Sequence, residues 1–219
     1  MLLSPRSPND GLQEQTLEYY ERNARGYFQE TVNTDLSAIY EPFIRMLPNG
    51  ARILDAGSGS GRDTLAFVQR GYQVDAFDSS PALCELSTRF TGVRTRVLRL
   101  QEFEGEEEYD GIWACASLLH VPELELLDVM ARLLRALKRG GVLFVSFKYG
   151  NGERVAEDGR FYTDMTEDRM RAVLQGVEGC KLGRLWRTAG EGKFRGQGDW
   201  LNALISQQEP GSLPHSLSA

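Results

Sequence analysis

"ILDAGSGSGRDTLAF", from Ile53 to Phe67, decides the fold. Ile53 and Leu54 lead into Asp55, then Gly57, Gly59 and Gly61 follow at alternate positions, and Arg62 and Asp63 open a helix-like run. Glycine loses more backbone entropy on folding than any other residue, so three of them behind a strand need a reason. A tight strand-to-helix turn is one. Backbone N–H groups approaching a ligand with no Cβ in the way is another. In an open parallel sheet, ligands bind outside the carboxyl ends of the strands, and this loop lies at such an end.

The next strand-like run, Gln73–Phe77, is followed by Asp78, twenty-one positions after Gly57. A carboxylate there can take both hydroxyls of a ribose. It can also cap the short helix expected after Pro81. The dinucleotide fingerprint G-x-G-x-x-G/A fails, because its last position is Arg62. No Gly-Lys-Ser/Thr follows, which excludes a P-loop. Asp55 would repel a diphosphate and suits a cationic ligand, such as one bearing an ammonium and a sulfonium.

Strand-like and helix-like segments alternate outward from this stretch. Helices are expected at Leu12–Glu30, Leu36–Leu47, Asp63–Arg70, after Pro81, at Pro122–Lys138 and at Glu167–Gln175. Leu124, Leu127, Met130, Leu134 and Leu137 are read as the apolar face of the fifth. Gly140 and Gly141 are read as its stop. Strands are expected at Arg52–Ala56, Gln73–Phe77, Thr95–Leu100, Gly111–Ala116, Val142–Phe147, Lys181–Thr188 and Trp200–Ser206. Short apolar runs with little alternation suit strands covered on both faces. The result is an α/β fold: a doubly wound, Rossmann-like, seven-stranded sheet, mostly parallel, with an antiparallel C-terminal strand, helices on both faces and an N-terminal helical lid. Residues 11–208 are expected to form a single domain with the lid at 11–48, and the Pro- and Ser-rich ends, 1–10 and 209–219, read as disordered tails.

The 219 residues are 41% hydrophobic and 26% charged, with a formal net charge of -6. That balance argues against a dedicated nucleic-acid binder. Cys84, Cys115 and Cys180 are odd in number and widely spaced, which fits a reducing cytoplasm and excludes a disulfide framework. With only two histidines, no metal site is expected. No apolar leader opens the chain, and no run reaches the about 18 apolar residues of a membrane span.

"ILDAGSGSGRD" together with "VDAFDSSP", "YDGIWACASLLHVP" and "LKRGGVLFVSF" resembles the class I S-adenosylmethionine-dependent methyltransferases. Within that class, "GR" after the glycines and "GYQVDAFD" are similar to the small bacterial tellurite-resistance type. The resemblance implies S-adenosyl-L-methionine as cofactor and S-adenosyl-L-homocysteine as product. It implies that Asp55 and the loop of Gly57, Ser58, Gly59 and Gly61, with Arg62 behind it, hold the methionine part. Asp78, with Ser79 beside it, would hold the ribose, and Gln101 and Glu102 would flank the adenine. Ala114 and Cys115 would face the methionine end. A helix carrying Tyr20, Asn23 and Tyr27 would lie over the cofactor.

The acceptor does not follow from the resemblance. His120, beyond the fourth strand, is a general base for an acceptor with a proton to lose, or a structural residue. Lys148 and Arg160 follow the fifth strand, where a cationic pair would meet an anionic or polar small molecule. Two other readings stay open: methyl transfer to RNA or protein, and cofactor binding without turnover.

Overall fold

The computed structural model describes residues 10–190 and 198–207. The tails expected at 1–10 and 209–219 lie outside the described residues, apart from Asp10, which begins the first helix. That helix, α1 (Asp10–Thr31), precedes α2 (Ser37–Ile44), β1 (Arg52–Ala56), α3 (Arg62–Val68), β2 (Gln73–Asp78), α4 (Pro81–Thr91) and β3 (Thr95–Val97). Next come β4 (Tyr109–Ala114), α5 (Glu123–Ala136), β5 (Leu137–Lys148), β6 (Gly152–Val155), β7 (Phe161–Asp164), α6 (Glu167–Gln175), β8 (Cys180–Ala189) and β9 (Asp199–Gln207).

Seven strands form one sheet in the order β3-β2-β1-β4-β5-β9-β8. β1 pairs in parallel with β2 and β4, as β2 does with β3 and β4 with β5, whereas β9 is antiparallel to both of its neighbours. The order reverses between β1 and β4. In an open α/β sheet that switch point is where a crevice forms.

Neighbouring residues along the central strands point to opposite faces, and both faces are covered. Ile53, Trp113, Val142 and Phe144 join Tyr40, Phe43 and Phe67 on one side. Leu54, Ile112, Leu143 and Val145 join Leu126, Met130 and Leu133 on the other. The Trp113 and Phe144 rings stack at 3.9 Å between centroids, across paired strands. Double coverage is why these strands read as continuous apolar runs.

Four local readings need correction. In α5 the buried stripe is Leu126, Val129, Met130, Leu133 and Leu134, while Leu124 and Leu127 are 89% and 43% exposed. The helix also stops at Ala136, because Leu137 pairs with Tyr109 and is drawn into the sheet. β3 covers only Thr95–Val97, after which Leu98 donates its N–H to the Asp78 carbonyl and the chain turns. Residues 152–164, for which no strand is expected, form the β6–β7 hairpin, whose Phe161, Tyr162, Thr163 and Asp164 are buried. No described helix is long and apolar enough to cross a membrane.

Candidate active site

The three glycines answer three separate steric demands. All have positive φ: 82° at Gly57, 53° at Gly59 and 77° at Gly61. A Cβ on Gly57 would stand 2.4 Å from the Cβ of Ser117, and one on Gly61 would stand 2.5 Å from the Ser87 hydroxyl. A Cβ on Gly59 would lie 3.3 Å from the Tyr27 ring. The loop is therefore squeezed by the turn after β4, by α4 and by α1. The N–H groups of Gly57 and Ser58 both point to the Phe77 carbonyl, which ties the loop to β2.

Asp78 ends β2 with its carboxylate gathered onto backbone. Oδ2 accepts from Gly59 N–H at 2.8 Å and Oδ1 from Ser80 N–H at 2.9 Å. Burial nevertheless raises its pKa. The cap of α4 is Ser80, whose hydroxyl accepts from Leu83 N–H. Asp78 is thus left facing the crevice rather than capping. Glu21 of α1 reaches over to accept from the Ser80 hydroxyl and, at 3.0 Å, from Ala82 N–H. That carboxylate ties the N-terminal helix to the start of α4, and the Phe28 and Phe90 rings meet further along the two helices.

Two further carboxylates sit below the loop with opposite fates. Burial works against a charge on Asp63, but Arg62 binds it through two nitrogens at 2.6 and 2.9 Å. Tyr40 hydroxyl and Trp113 indole N–H add donors at 2.5 and 2.8 Å, and together they hold its carboxyl below the usual range. Asp55 accepts from the Thr64 hydroxyl at 2.6 Å, its one side-chain donor among the described residues. Burial and the Asp63 charge push its pKa up.

A cavity of about 180 Å³ lies between α1 and the carboxyl edge of the sheet. α1 turns Thr16, Tyr20, Tyr27 and Thr31 toward it. Asn23 is exposed and donates to its own helix at the Tyr19 carbonyl; Ala24 is the buried neighbour. Of the expected cofactor residues, Tyr20, Tyr27, Gly57, Ser58, Gly59, Arg62, Asp78, Ser79, Gln101 and Cys115 line the cavity. Asp55, Gly61, Glu102 and Ala114 do not. Asp55 is 2% exposed beneath the loop, and Ala114 is wholly buried. Glu102 turns back to accept from Arg99 N–H at 3.3 Å. Gln101 is held by Gln13 and Glu125 at 2.9 and 3.0 Å.

Past the end of β4, Ala116 takes a positive φ of 55° and donates its N–H to Ser146 Oγ. Strain of this kind in a residue with a Cβ belongs to sites the surrounding structure over-determines. Next to it, the Ser117 hydroxyl is buried with no partner among the described residues, and so is the Ser58 hydroxyl. Both line the cavity. Buried hydroxyls without partners cost stability unless a ligand supplies them. The thiol of Cys115 is pushed up to about 12 by burial and stays protonated.

His120 sits in the 3₁₀ turn Leu118–His120. Its Nδ1 is 2.7 Å from the Phe161 carbonyl, which can only accept, so Nδ1 carries the proton. Nε2 then accepts from the Tyr20 hydroxyl at 2.8 Å. Burial holds the imidazole neutral, at about 4. Arg160 does not line the cavity. Its guanidinium binds Asp158 at 2.6 and 3.0 Å, lies 4.5 Å from the Tyr19 ring centre and reaches the Tyr20 hydroxyl at 3.4 Å. The charge expected to meet an acceptor is thus neutralised behind Tyr20. Lys148, also outside the lining, places Nζ 4.1 Å from the Trp200 ring centre. Burial pushes it down to about 8.

Ala116, Ser117, Leu36, Ile39 and Thr188 also line the cavity and were not legible as site residues. Ala116 and Ser117, directly after Cys115, had a sequence neighbour that could have pointed to them.

Residues 53–141 match a family described as a methyltransferase domain. The match takes in under half of the chain, from β1 into β5, with the glycine loop and Asp78 inside it. The chain is 34% identical over 110 residues to the ubiquinone biosynthesis O-methyltransferase of Xanthomonas axonopodis pv. citri, covering 47% of this chain and 45% of that protein. The chain therefore matches under half the length of that relative. The fold is similar to that of 1,6-didemethyltoxoflavin-N1-methyltransferase from Burkholderia thailandensis, solved with S-adenosylhomocysteine: TM-score 0.73, 22% identity, 95% of this chain and 94% of that one. A TehB-like methyltransferase from Corynebacterium glutamicum is similar with TM-score 0.59 and 19% identity, over 91% of this chain and all of that one. Nothing here sets the tellurite-resistance type apart from other methyltransferases.

Proposed function

We propose that this chain transfers a methyl group from S-adenosylmethionine to a small-molecule acceptor in the cavity under α1. The observation that carries the reading is the pair of buried, unpartnered hydroxyls, Ser58 and Ser117, beside Gly57. They suit a polar ligand lying along the glycine loop. Ser58, Ser117 and the guanidinium of Arg62 would hold the methionine part, Asp78 and Ser79 the ribose, and Gln101 the adenine. The bound cofactor supplies a methyl group already activated by a sulfonium. The names of the relatives, one an O-methyltransferase and one an N-methyltransferase, support a small-molecule acceptor. The free thiols of Cys84, Cys115 and Cys180 suit a reducing compartment such as the cytoplasm.

The residues of the chain supply alignment and exclusion of water. α1 roofs the cavity, with Tyr27 over Gly59 and Tyr20 latched to His120. An acceptor that must lose a proton can pass it to the Tyr20 oxygen as the Tyr20 proton moves to His120 Nε2. His120 Nε2 is placed to receive it, because the neutral tautomer turns that lone pair to Tyr20, while burial, which holds the ring at about 4, makes the charged form short-lived.

The test is acceptor-dependent formation of S-adenosylhomocysteine. The full chain, given S-adenosylmethionine and a pool of phenols and N-heterocycles, should release it above the acceptor-free rate. Binding of the cofactor without acceptor-dependent release from such pools would favour a binding module instead.

A further inference from the structure

β5, β8 and β9 floor the far side of the cavity. Ser146 and Asn202 are paired across β5 and β9, and Asn202 is paired with Trp186 across β9 and β8. Asn202 is 1% exposed, yet it lines the cavity. Its amide nitrogen donates to the Thr188 hydroxyl at 3.0 Å and to the Trp186 carbonyl at 3.4 Å. A carbonyl can only accept, so these contacts fix which way the amide points. Oδ1 is left facing away from both, and among the described residues nothing donates to it. Around it the cavity is neutral: Leu36 and Ile39 at α2, and Thr188, Ala189 and Trp200 at the β8–β9 end.

We infer that Asn202 reads a neutral O–H or N–H donor on the methyl acceptor, which lies as a partly apolar molecule against Trp200, Leu36 and Ile39. This rests on the methyl-transfer reading of the same cavity. A donor on the ligand satisfies an amide oxygen to which no described residue donates. A carboxylate brought to that place would set acceptor against acceptor; of the two cations expected to draw it in, Arg160 is bound to Asp158 and Lys148 is packed on the Trp200 ring, both outside the lining. A site built around a hydrogen bond rejects an isostere lacking the group far more strongly than an apolar pocket does. Asn202 is therefore the residue that separates donor-bearing acceptors from anions and ethers of equal size.

The test uses the full chain saturated with S-adenosylhomocysteine and four flat probes of similar size. 2-Naphthol and 2-quinolinone carry a donor, 2-methoxynaphthalene carries none, and 2-naphthoate is an anion. Calorimetry should find the two donors bound at least tenfold more tightly than the other two. Asn202→Leu should remove that preference, and Asn202→Asp, which keeps an acceptor oxygen, should retain it. Affinity for S-adenosylhomocysteine within about twofold of wild type certifies that each variant is folded. Naphthoate or the ether binding as well as the donors, or a folded Asn202→Leu keeping the preference, would overturn the inference. So would failure of all four probes to bind while S-adenosylhomocysteine binds. If S-adenosylhomocysteine itself does not bind, the methyl-transfer reading fails instead.

Discussion

The hydroxyl of Tyr20 lies 2.8 Å from Nε2 of His120, joining the N-terminal helix to the turn that follows β4 across a hundred residues of sequence. Arg160, at 3.4 Å from the same hydroxyl, makes a third member. Tyr20→Phe should weaken binding of S-adenosylhomocysteine by about 0.5–1.5 kcal/mol, the range for one intramolecular hydrogen bond. Arg160→Ala should weaken it too, and the double variant should lose less than the sum. Strict additivity in a calorimetric double-mutant cycle would separate Arg160 from the latch.

The same histidine makes stability depend on pH. Its pKa falls from 6.5 to about 4 in the folded chain, chiefly through burial. Between those values the unfolded chain binds more protons, so its contribution is present in full above pH 6.5 and is lost as pH falls toward 4. Urea unfolding at pH 7 and pH 5 should find a steeper loss for wild type than for His120→Gln. Parallel losses would mean that His120 does not titrate as its burial requires.

The glycine loop gives a ranked expectation. Gly57→Ala and Gly61→Ala bring a Cβ to 2.4 and 2.5 Å from Ser117 and Ser87, at positive φ. Overpacking of this kind costs about 1–3 kcal/mol. Gly59→Ala, with the Tyr27 ring at 3.3 Å, should destabilise less and act mainly on cofactor affinity. Thermal unfolding of the three variants checks the order, and Gly59→Ala as the least stable would reverse it.

Asp63 anchors the ground under the loop. Asp63→Ala would leave the Arg62 guanidinium, 18% exposed, without its carboxylate. Removing one partner of a buried pair costs about 3–5 kcal/mol. Denaturant unfolding should register most of that loss. A cost below about 1 kcal/mol would show the pair to be solvated.

What the sequence made legible is whatever is continuous along the chain. The strand before Asp55, the glycine spacing and the interval to Asp78 are local patterns, and the sheet follows from their repetition. What stayed hidden is set by partners far away in sequence. Arg160 read as a cation free to meet substrate, because Asp158 and the rings of Tyr19 and Tyr20 are brought to it only by folding. Which way the Asn202 amide points depends on Thr188 and the Trp186 carbonyl, which only the pairing of β8 with β9 brings to it. In α5, leucines recur so densely that two stripes fit the period, and only the packing against β5 selects Leu126 over Leu124.

The most direct test of the central claim is calorimetric titration of the full chain with S-adenosylhomocysteine, for wild type and for Asp78→Ala. The account predicts one site per chain in wild type, weakened in the variant by about 1.5–3 kcal/mol, the range for a hydrogen bond to a charged group. Equal affinities, or no binding by wild type, would contradict it.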